Sequence, residues 1–228
     1  YRLRTDEGDI VAKTVILATG AHHRELGVPG EAELQGRGVS YCATCDGPMF
    51  EGKPMVVVGG GDAACDEATF LSKLTDRVIL VHRRDRFRAQ ASLAERVIAN
   101  PRIDVRFDTE VEEILAAPND FGIDAVHAVR LRNNRTGETT TEETAAVFIF
   151  IGSDPQTELV PFVERDEAGY VQTSETMESS QPGLYAVGDV RATPFRQLVV
   201  AAADGAIAAH AANHRVDQLA DSTAAVGA

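Results

Sequence analysis

The 228-residue sequence predicts an α/β fold in which a parallel sheet is wound with helices. Three observations carry that prediction. Short β-branched runs alternate with stretches of helical periodicity, most clearly in KPMVVVGGGDAACDEATFLSKLTDRVILVHRRDRF. The glycines at 59–61 separate the strand MVVV from a helix that begins at Asp62 and continues to Leu74. The strand RVILVH follows, so the stretch reads as one βαβ unit of a doubly wound, Rossmann-like sheet.

The remaining elements follow in chain order. The opening, YRLRTDEGDIVAKTVILATG, predicts a strand, a turn at Asp6–Asp9 and a second strand, and a chain that opens inside a hairpin suggests the continuation of a longer protein. A helix is expected near Ala89–Asn100, followed by the strand DVRF. DAVHAVRLRN and EETAAVFIFIG, joined by the turn NRTGE, predict a hairpin.

From Ser153 the composition changes to a loop-rich segment punctuated by prolines, which ends in GLYAVGDV. The last element, RQLVVAAADGAIAAHAANHRV, is an alanine-rich helix that is apolar on most faces, and we expect it to be buried.

The net charge of −13 argues against nucleic acid as a partner, because phosphate binding needs a basic face. No apolar run approaches the roughly 18–20 residues that cross a membrane, and no signal peptide is recognised, so we expect no membrane partner and a cytoplasmic protein. Lysine occurs only at positions 13, 53 and 73. This acidic, lysine-poor composition fits either adaptation to salt or a GC-rich genome with ordinary solubility charge.

The turn GGGDAA fits the G-x-G-x-x-A pattern of dinucleotide-binding sites, in the strand–turn–helix context that the pattern requires. Gly59 permits the tight turn, Gly61 lets a pyrophosphate approach the backbone, and Ala64 allows close packing of helix on strand. The helix that begins with Asp62 and Ala63 offers its free N–H groups to the anion.

The second strand ends in HRRDRFRA, where an acidic residue would select NAD. His82, Arg83, Arg84 and Arg88 stand there instead, and forked guanidinium groups bind a 2′-phosphate. These residues predict an NADP(H) site, against the alternative of a solvated basic loop.

Cys42 and Cys45 form a C-x-x-C pair within SYCATCDG. A structural zinc site needs four ligands, and with no second C-x-x-C and no H-x(3–5)-H histidine pair at a plausible spacing we predict no metal site. A permanent disulfide would be unusual in an unsecreted chain, which leaves a redox dithiol–disulfide pair. Asp46 is either an acid–base group for the thiols or a turn residue before Gly47. Since hydride transfer from NADPH directly to a disulfide is unusual, a flavin between them is the economical inference.

In their order along the chain, CATCDG, VVVGGGDAACDEA, HRRDRFRA, GLYAVGDV and RQLVVAAADGAIAA resemble the low-molecular-weight thioredoxin reductases, from about residue 3 to residue 215. The resemblance implies two nested doubly wound dinucleotide-binding domains, with residues 1–25 and 153–228 in a flavin domain and 26–152 in an NADPH domain that carries the cysteines. It also implies that the flavin domain is incomplete, because its own G-x-G-x-x-G turn and about 90–100 residues are absent.

The same resemblance assigns residues to FAD. LATGA contributes Ala18, Thr19 and Gly20, while VGDV contributes Gly188, Asp189 and Val190, with Asp189 on the ribityl chain. Arg196 and Gln197, followed by Leu198, would lie near the isoalloxazine and the phosphates.

The resemblance further implies that NADPH reduces FAD and that FAD reduces the Cys42–Cys45 disulfide, with Cys45 facing the flavin, Cys42 attacking thioredoxin and Asp46 as acid–base. The domains would rotate about hinges near 24–28 and 151–155, and the protein would be a homodimer. Three alternatives stay open: a reductase for another disulfide partner such as a peroxidase system, a dithiol oxidase, which would not need the arginines, and a non-catalytic NADP-binding module.

Overall fold

The computed structural model describes residues 1–226, and the chain forms two compact units. Unit 1 contains Tyr1–His22 and the chain from Ser153 onward, and unit 2 contains His23–Gly152. The strands are β1 (Arg2–Thr5), β2 (Gly8–Val11), β3 (Val15–Leu17), β4 (Ala21–His23), β5 (Val39–Ser40), β6 (Met55–Gly59), β7 (Val78–Val81), β8 (Ile103–Arg106), β9 (Thr109–Pro118), β10 (Asp124–Asn133), β11 (Thr139–Glu143), β12 (Ala146–Phe150), β13 (Ser153–Pro155) and β14 (Leu184–Ala186). The helices are α1 (Ala43–Asp46), α2 (Asp62–Leu71), α3 (Ala91–Ile98) and α4 (Leu198–Val226), with 3₁₀ turns at Gly47–Phe50 and Gly188–Val190.

Unit 2 is built on a five-stranded parallel sheet in the order β5-β12-β6-β7-β8. Its central strands are buried along their whole length, as expected when both faces of a parallel sheet are covered. The strand order and the crossover helix α2 confirm the α/β fold that the sequence predicts.

The two faces of this sheet carry different layers. Met55 and Val57 of β6 pack with the helices α2 and α3, while Val56 and Val58 pack with the antiparallel sheet β9-β10-β11. Successive side chains of a strand point to opposite faces, so one short β-branched run supplies both cores.

Unit 1 contains three pairs of strands. β3 and β14 are parallel, β1 and β2 are antiparallel, and β4 pairs with β13. One small core surrounds Leu17, Leu184 and Ala186, and a second forms where Tyr185 and Val187 meet α4.

Two sequence predictions about elements are wrong. EETAAVFIFIG is not one hairpin strand, because β11 pairs with β10 whereas β12 joins the parallel sheet beside β6. The chain changes sheets at Thr144 and Ala145, whose N–H groups donate to His127 and Pro54 respectively.

The alanine-rich helix α4 is not buried as expected. Within residues 198–221, only Asp204, Ala208 and Ala212 are buried, and Leu198 and Val199 are 87% and 72% exposed. α4 contacts β3 and β14 along one side, and alanine does not distinguish a covered face from an open one. In the part of the chain that is described, no helix has the length and apolar character to cross a bilayer.

Candidate functional site

The cysteine pair lies on the one-turn helix α1, directly after strand β5. Cys42 and Cys45 are joined by a disulfide, with their Cα atoms 5.3 Å apart. Cys42 is half-buried at the N-cap and Cys45 is exposed. The Cys45 N–H lies 3.2 Å from Cys42 Sγ, where it would stabilise a thiolate on that sulfur.

Asp46 follows the pair and is held at two atoms. Its N–H donates to the Cys42 carbonyl at 3.1 Å, and its Oδ2 accepts a hydrogen bond from Ser40 Oγ at 2.6 Å. The Ser40 hydroxyl also accepts the Cys42 N–H at 3.1 Å. Ser40 is not predicted from the sequence, since serine at this spacing belongs to no motif.

Glu31 supports the other side of the cysteine segment and was also missed. This carboxylate is only 3% exposed. Glu31 accepts the N–H groups of Leu26 and Gly27 at 3.0 and 2.7 Å, and it accepts the Tyr41 hydroxyl at 3.0 Å. Burial, followed by the hydrogen bond to Glu31, raises the pKa of Tyr41 well above its usual value.

The glycine turn between β6 and α2 is closely packed. Gly59 has φ +153°, and a Cβ there would lie 2.4 Å from the Phe150 carbonyl oxygen and 2.7 Å from Ala64 Cβ. At Gly60 a Cβ would lie 2.2 Å from the imidazole of His82. Side chains are therefore excluded at both positions, and the need for Gly60 was not predicted because its neighbour lies 22 residues away.

The start of α2 is open. A Cβ at Gly61 would meet nothing within 4 Å, so the backbone here is accessible to a ligand. Ala63 is exposed, while Ala64 is buried against the turn. The Asp62 carboxylate accepts the backbone N–H and the side-chain amide of Gln90, at 2.7 and 3.0 Å, so it is engaged in fixing the loop after β7.

A cavity of about 410 Å³ lies at this carboxyl edge of the sheet, within unit 2. Its lining includes Gly59, Gly60, His82, Arg83, Arg88 and Thr109. His82 is 5% exposed, and its Nε2 is buried without a hydrogen-bond partner in residues 1–226. Burial lowers the pKa of His82, and the charges of Arg88, Arg84 and Arg83 act in the same direction against a backbone hydrogen bond with Arg86.

The arginines of this loop are exposed and form no ion pair within the described residues. No ion pair in the described chain therefore neutralises the positive charge of Arg83, Arg84 and Arg88, although Glu25 and Glu110 also line the cavity.

The glycine turn excludes side chains at Gly59 and Gly60, and the backbone at Gly61 is open. Together with the buried, unpartnered His82 Nε2 and the arginines without ion pairs, this turn fits a phosphorylated dinucleotide.

The residues assigned to flavin lie in unit 1, after two adjacent parallel strands. Ala18–Gly20 follows β3, and Gly188–Val190 follows β14, so both segments lie at the carboxyl edge where dinucleotides bind. Thr19 Oγ1 donates to the Gln156 carbonyl at 2.6 Å. Asp189 is half-buried, and its carboxylate has no partner among residues 1–226.

A buried aspartate, which sequence analysis did not single out, holds the second of these segments. Asp204 of α4 accepts the Gly188 N–H at 3.1 Å and pairs with Arg191 at 3.1 Å. Arg196 lies over the Tyr170 ring, 4.2 Å from its centroid, and Leu198 is exposed at the start of α4 beside Gln197.

Among the described residues, no three histidine, cysteine, aspartate or glutamate side chains are grouped so that they could hold a metal ion. The sequence does, however, contain an H-x(3–5)-H pair, so the expectation that none occurs at a plausible spacing is wrong. His210 and His214 lie four residues apart on α4, with ring centroids separated by 5.5 Å. Cys65 is buried, and burial raises its pKa to about 11, so its thiol is inert at neutral pH.

Comparison with known proteins agrees with this geometry. The family model described as pyridine nucleotide-disulphide oxidoreductase matches residues 2–206. The chain is 51% identical to a thioredoxin reductase of Treponema pallidum, in a match that covers 96% of this chain and 69% of that protein. It is 43% identical to a thioredoxin reductase of Bacillus subtilis, in a match that covers 91% of this chain and 65% of that protein. The chain thus spans about two thirds of the length of these curated relatives.

Solved structures give the same result. The thioredoxin reductase of Streptococcus pyogenes superposes with a TM-score of 0.85 at 43% identity, covering 94% of this chain and 69% of that one. The thioredoxin reductase of Giardia duodenalis superposes with a TM-score of 0.86 at 38% identity, covering 95% of this chain and 70% of that one. The C-x-x-C disulfide, the glycine turn and the matches along nearly the whole chain lead to one conclusion: the chain belongs to the thioredoxin reductases, within the pyridine nucleotide-disulphide oxidoreductase family.

Proposed function

We propose that the protein reduces the disulfide of a thioredoxin with electrons from NADPH, which pass through FAD to the Cys42–Cys45 pair. The observation that carries this proposal is the location of both chemistries in unit 2. The disulfide with Asp46 beside it and the glycine turn with its free arginines belong to one compact unit.

For the cofactors, we assign residues 26–152 to NADPH and residues 1–25 and 153–228 to FAD. Arg83, Arg84 and Arg88 would hold the 2′-phosphate, and the N-terminus of α2 would hold the pyrophosphate. Asp189 would accept hydrogen bonds from flavin hydroxyl groups. When bound, the flavin converts a hydride equivalent into the two electrons that a disulfide requires.

The cysteines then carry out dithiol–disulfide exchange. The Cys42 thiolate, stabilised by the Cys45 N–H, attacks a sulfur of the thioredoxin disulfide and forms a mixed disulfide. Cys45 next attacks Cys42 Sγ, which restores the enzyme disulfide and releases the second thiolate of the reduced partner. Cys45 is the more exposed residue of the pair, and we assign it the flavin-facing role in the reductive half of the cycle.

Asp46 is the acid–base group in this scheme. Each thiolate that leaves the partner needs a proton, and the Cys45 thiol must lose one before it attacks. The Asp46 carboxylate is next in sequence to Cys45 and is hydrogen-bonded at Oδ2, so in this scheme Oδ1 would carry both transfers. A cytoplasmic homodimer is the setting we propose for this activity.

The test compares three single cysteine variants. The protein supplied with FAD, NADPH and oxidised thioredoxin is followed by NADPH absorbance, and Cys42→Ser and Cys45→Ser are expected to abolish turnover. Cys65→Ser is the matched control, because this thiol is buried and unreactive, and it should keep the parent rate.

A second measurement removes the dependence on cofactors. The protein reduced with dithiothreitol and freed of reagent should reduce one equivalent of oxidised thioredoxin without NADPH. Undiminished turnover in Cys45→Ser would refute the proposal, whereas exchange with another oxidised protein but not with thioredoxin would assign a different disulfide partner.

A further inference from the structure

The Ser40 side chain bridges the backbone N–H of Cys42 and the carboxylate of Asp46, the residue that follows Cys45. Its hydroxyl oxygen accepts the Cys42 N–H at 3.1 Å and donates to Asp46 Oδ2 at 2.6 Å. The Cys42 carbonyl lies 3.3 Å from the same hydroxyl. A serine has one hydrogen to donate, and the much shorter contact indicates that Asp46 receives it.

Ser40 is also fixed in space. It is 6% exposed, and as the last residue of β5 it pairs with Phe148 of the parallel sheet. Asp46, by contrast, ends a helix of four residues and is half-buried. Ser40 is the one side chain that hydrogen-bonds to the Asp46 carboxylate among residues 1–226.

From this geometry we propose that Ser40 is a positioning residue for proton transfer: its hydroxyl anchors Asp46 Oδ2 to the sheet and leaves Oδ1 to exchange protons with the redox sulfurs. The inference rests on the acid–base role proposed for Asp46. Because a hydrogen bond to a charged acceptor is stronger than one between neutral groups, a single hydroxyl is sufficient to select one orientation of the carboxylate.

Asp46, held by Ser40, moves protons in both halves of the exchange. Asp46 accepts the proton of the Cys42 thiol, the resulting Cys42 thiolate attacks a substrate disulfide, the substrate S–S bond breaks, and the leaving thiolate takes that proton from Asp46. Asp46 then accepts the proton of the Cys45 thiol as that sulfur attacks Cys42 Sγ, and passes it to the second leaving thiolate. The enzyme dithiol is oxidised to a disulfide, and one substrate disulfide is reduced to two thiols.

Two model disulfides separate proton transfer from sulfur attack. The thiolate released from 5,5′-dithiobis(2-nitrobenzoate) is stable and needs no acid, whereas the thiolate released from bis(2-hydroxyethyl) disulfide is basic and benefits from one. The dithiothreitol-reduced protein, freed of reagent, is mixed with each disulfide, and the loss of protein thiols is followed in a single turnover. Neither NADPH, FAD nor thioredoxin is needed.

Ser40→Ala should slow reaction with the hydroxyethyl disulfide by about 10-fold, a part of the general-acid contribution, and change the aromatic disulfide reaction by less than about 3-fold. Ser40→Thr and Ser40→Val form a matched pair of similar shape, and the threonine should restore the rate while the valine does not. Ser40→Ala combined with Asp46→Asn should be no slower than Asp46→Asn alone, because Ser40 acts through Asp46. Ser72→Ala removes another buried, hydrogen-bonded serine of unit 2 and should change neither rate.

The inference on Ser40 is overturned if Asp46→Asn slows the reaction with the hydroxyethyl disulfide while Ser40→Ala and Ser40→Val do not. It is also overturned if these two Ser40 variants slow the reactions with both disulfides equally. A double variant that reacts more slowly than Asp46→Asn alone would overturn it as well. An unchanged rate in Asp46→Asn would instead remove the acid–base role on which the inference rests. Parent-like NADPH turnover in Cys45→Ser would contradict the proposed function without bearing on Ser40.

Discussion

At the scale of single residues, the loop after β7 concentrates positive charge that no carboxylate in the described part of the chain neutralises by an ion pair. Arg83, Arg84 and Arg88 are exposed beside the cavity that His82 lines. The same charges help to keep His82 neutral, so its orphaned Nε2 can accept or donate one hydrogen bond without adding a buried charge. A dianionic 2′-phosphate would relieve the repulsion among the arginines.

Replacing Arg83 with glutamine should therefore weaken NADPH far more than NADH. Loss of one hydrogen bond to a charged group costs about 1.5–3 kcal/mol, or about 10- to 150-fold in Kd. Titration by calorimetry with both nucleotides measures the ratio. Arg135→Gln, in the exposed turn of the β10–β11 hairpin, is the control and should leave both Kd values unchanged. Equal weakening of NADPH and NADH would contradict a 2′-phosphate site.

Adjacent glycines of the turn should respond in opposite ways. Gly60→Ala drives a methyl group into the His82 ring, and such overpacking costs about 1–3 kcal/mol of stability. Gly61→Ala meets no atom within 4 Å and should unfold at the parent temperature, yet bind NADPH less tightly because the methyl group occupies the approach to α2. Thermal denaturation and nucleotide titration of the two variants separate packing from binding. Tight NADPH binding by Gly61→Ala would show that the pyrophosphate does not approach there.

At the scale of elements, the segment from Leu26 to Glu31 and the cysteine segment are held by one buried carboxylate. Glu31 joins the N–H groups of Leu26 and Gly27 to the hydroxyl of Tyr41, which directly precedes Cys42. His23 stacks on the Tyr41 ring with an interplanar angle of 5°. The start of unit 2 is thus tied to the residue next to the disulfide.

Glu31→Ala should lower the free energy of unfolding by about 1–3 kcal/mol, because it removes an acceptor shared by three donors. Urea denaturation followed by circular dichroism gives the value. Glu33 lies two residues after Glu31 with an exposed side chain, and Glu33→Ala should change the free energy of unfolding by less than about 0.5 kcal/mol. Equal effects of the two substitutions would mean that the Glu31 hydrogen bonds contribute nothing net.

Elements were predictable where a local pattern is sufficient. The strand–glycine–helix unit at 55–71 combines a glycine motif with a β-branched run of strand length and a helical period of apolar residues. The structure has a strand and a helix at these positions. No such local pattern marks Thr144, where the chain leaves one sheet and enters another. Strands β11 and β12 are both strand-like in sequence and differ only in the strands with which they pair. Ser40, Glu31 and Asp204 were missed for a related reason: each acts through residues that only the fold brings near.

At the scale of the whole molecule, charge acts in two opposed ways. The net charge is −13, so the folded chain repels itself, while the loop at 82–88 carries a local positive charge. Self-repulsion favours expansion of the chain, and local positive charge favours a phosphorylated ligand. Salt screens both interactions, with a Debye length of about 3 Å at 1 M against about 10 Å at 0.1 M.

Raising KCl from 0.1 M to 1 M should therefore increase Tm while it weakens NADPH binding. Differential scanning fluorimetry and nucleotide titration over the same salt series measure the two trends. The affinity for NADH, which lacks the 2′-phosphate, should fall less steeply, and Arg83→Gln should flatten the NADPH slope towards that of NADH. A Tm that falls with KCl would mean that attractive pairs such as Arg191–Asp204 outweigh the repulsion implied by the net charge, and an NADPH affinity independent of salt would remove the arginines from the binding site.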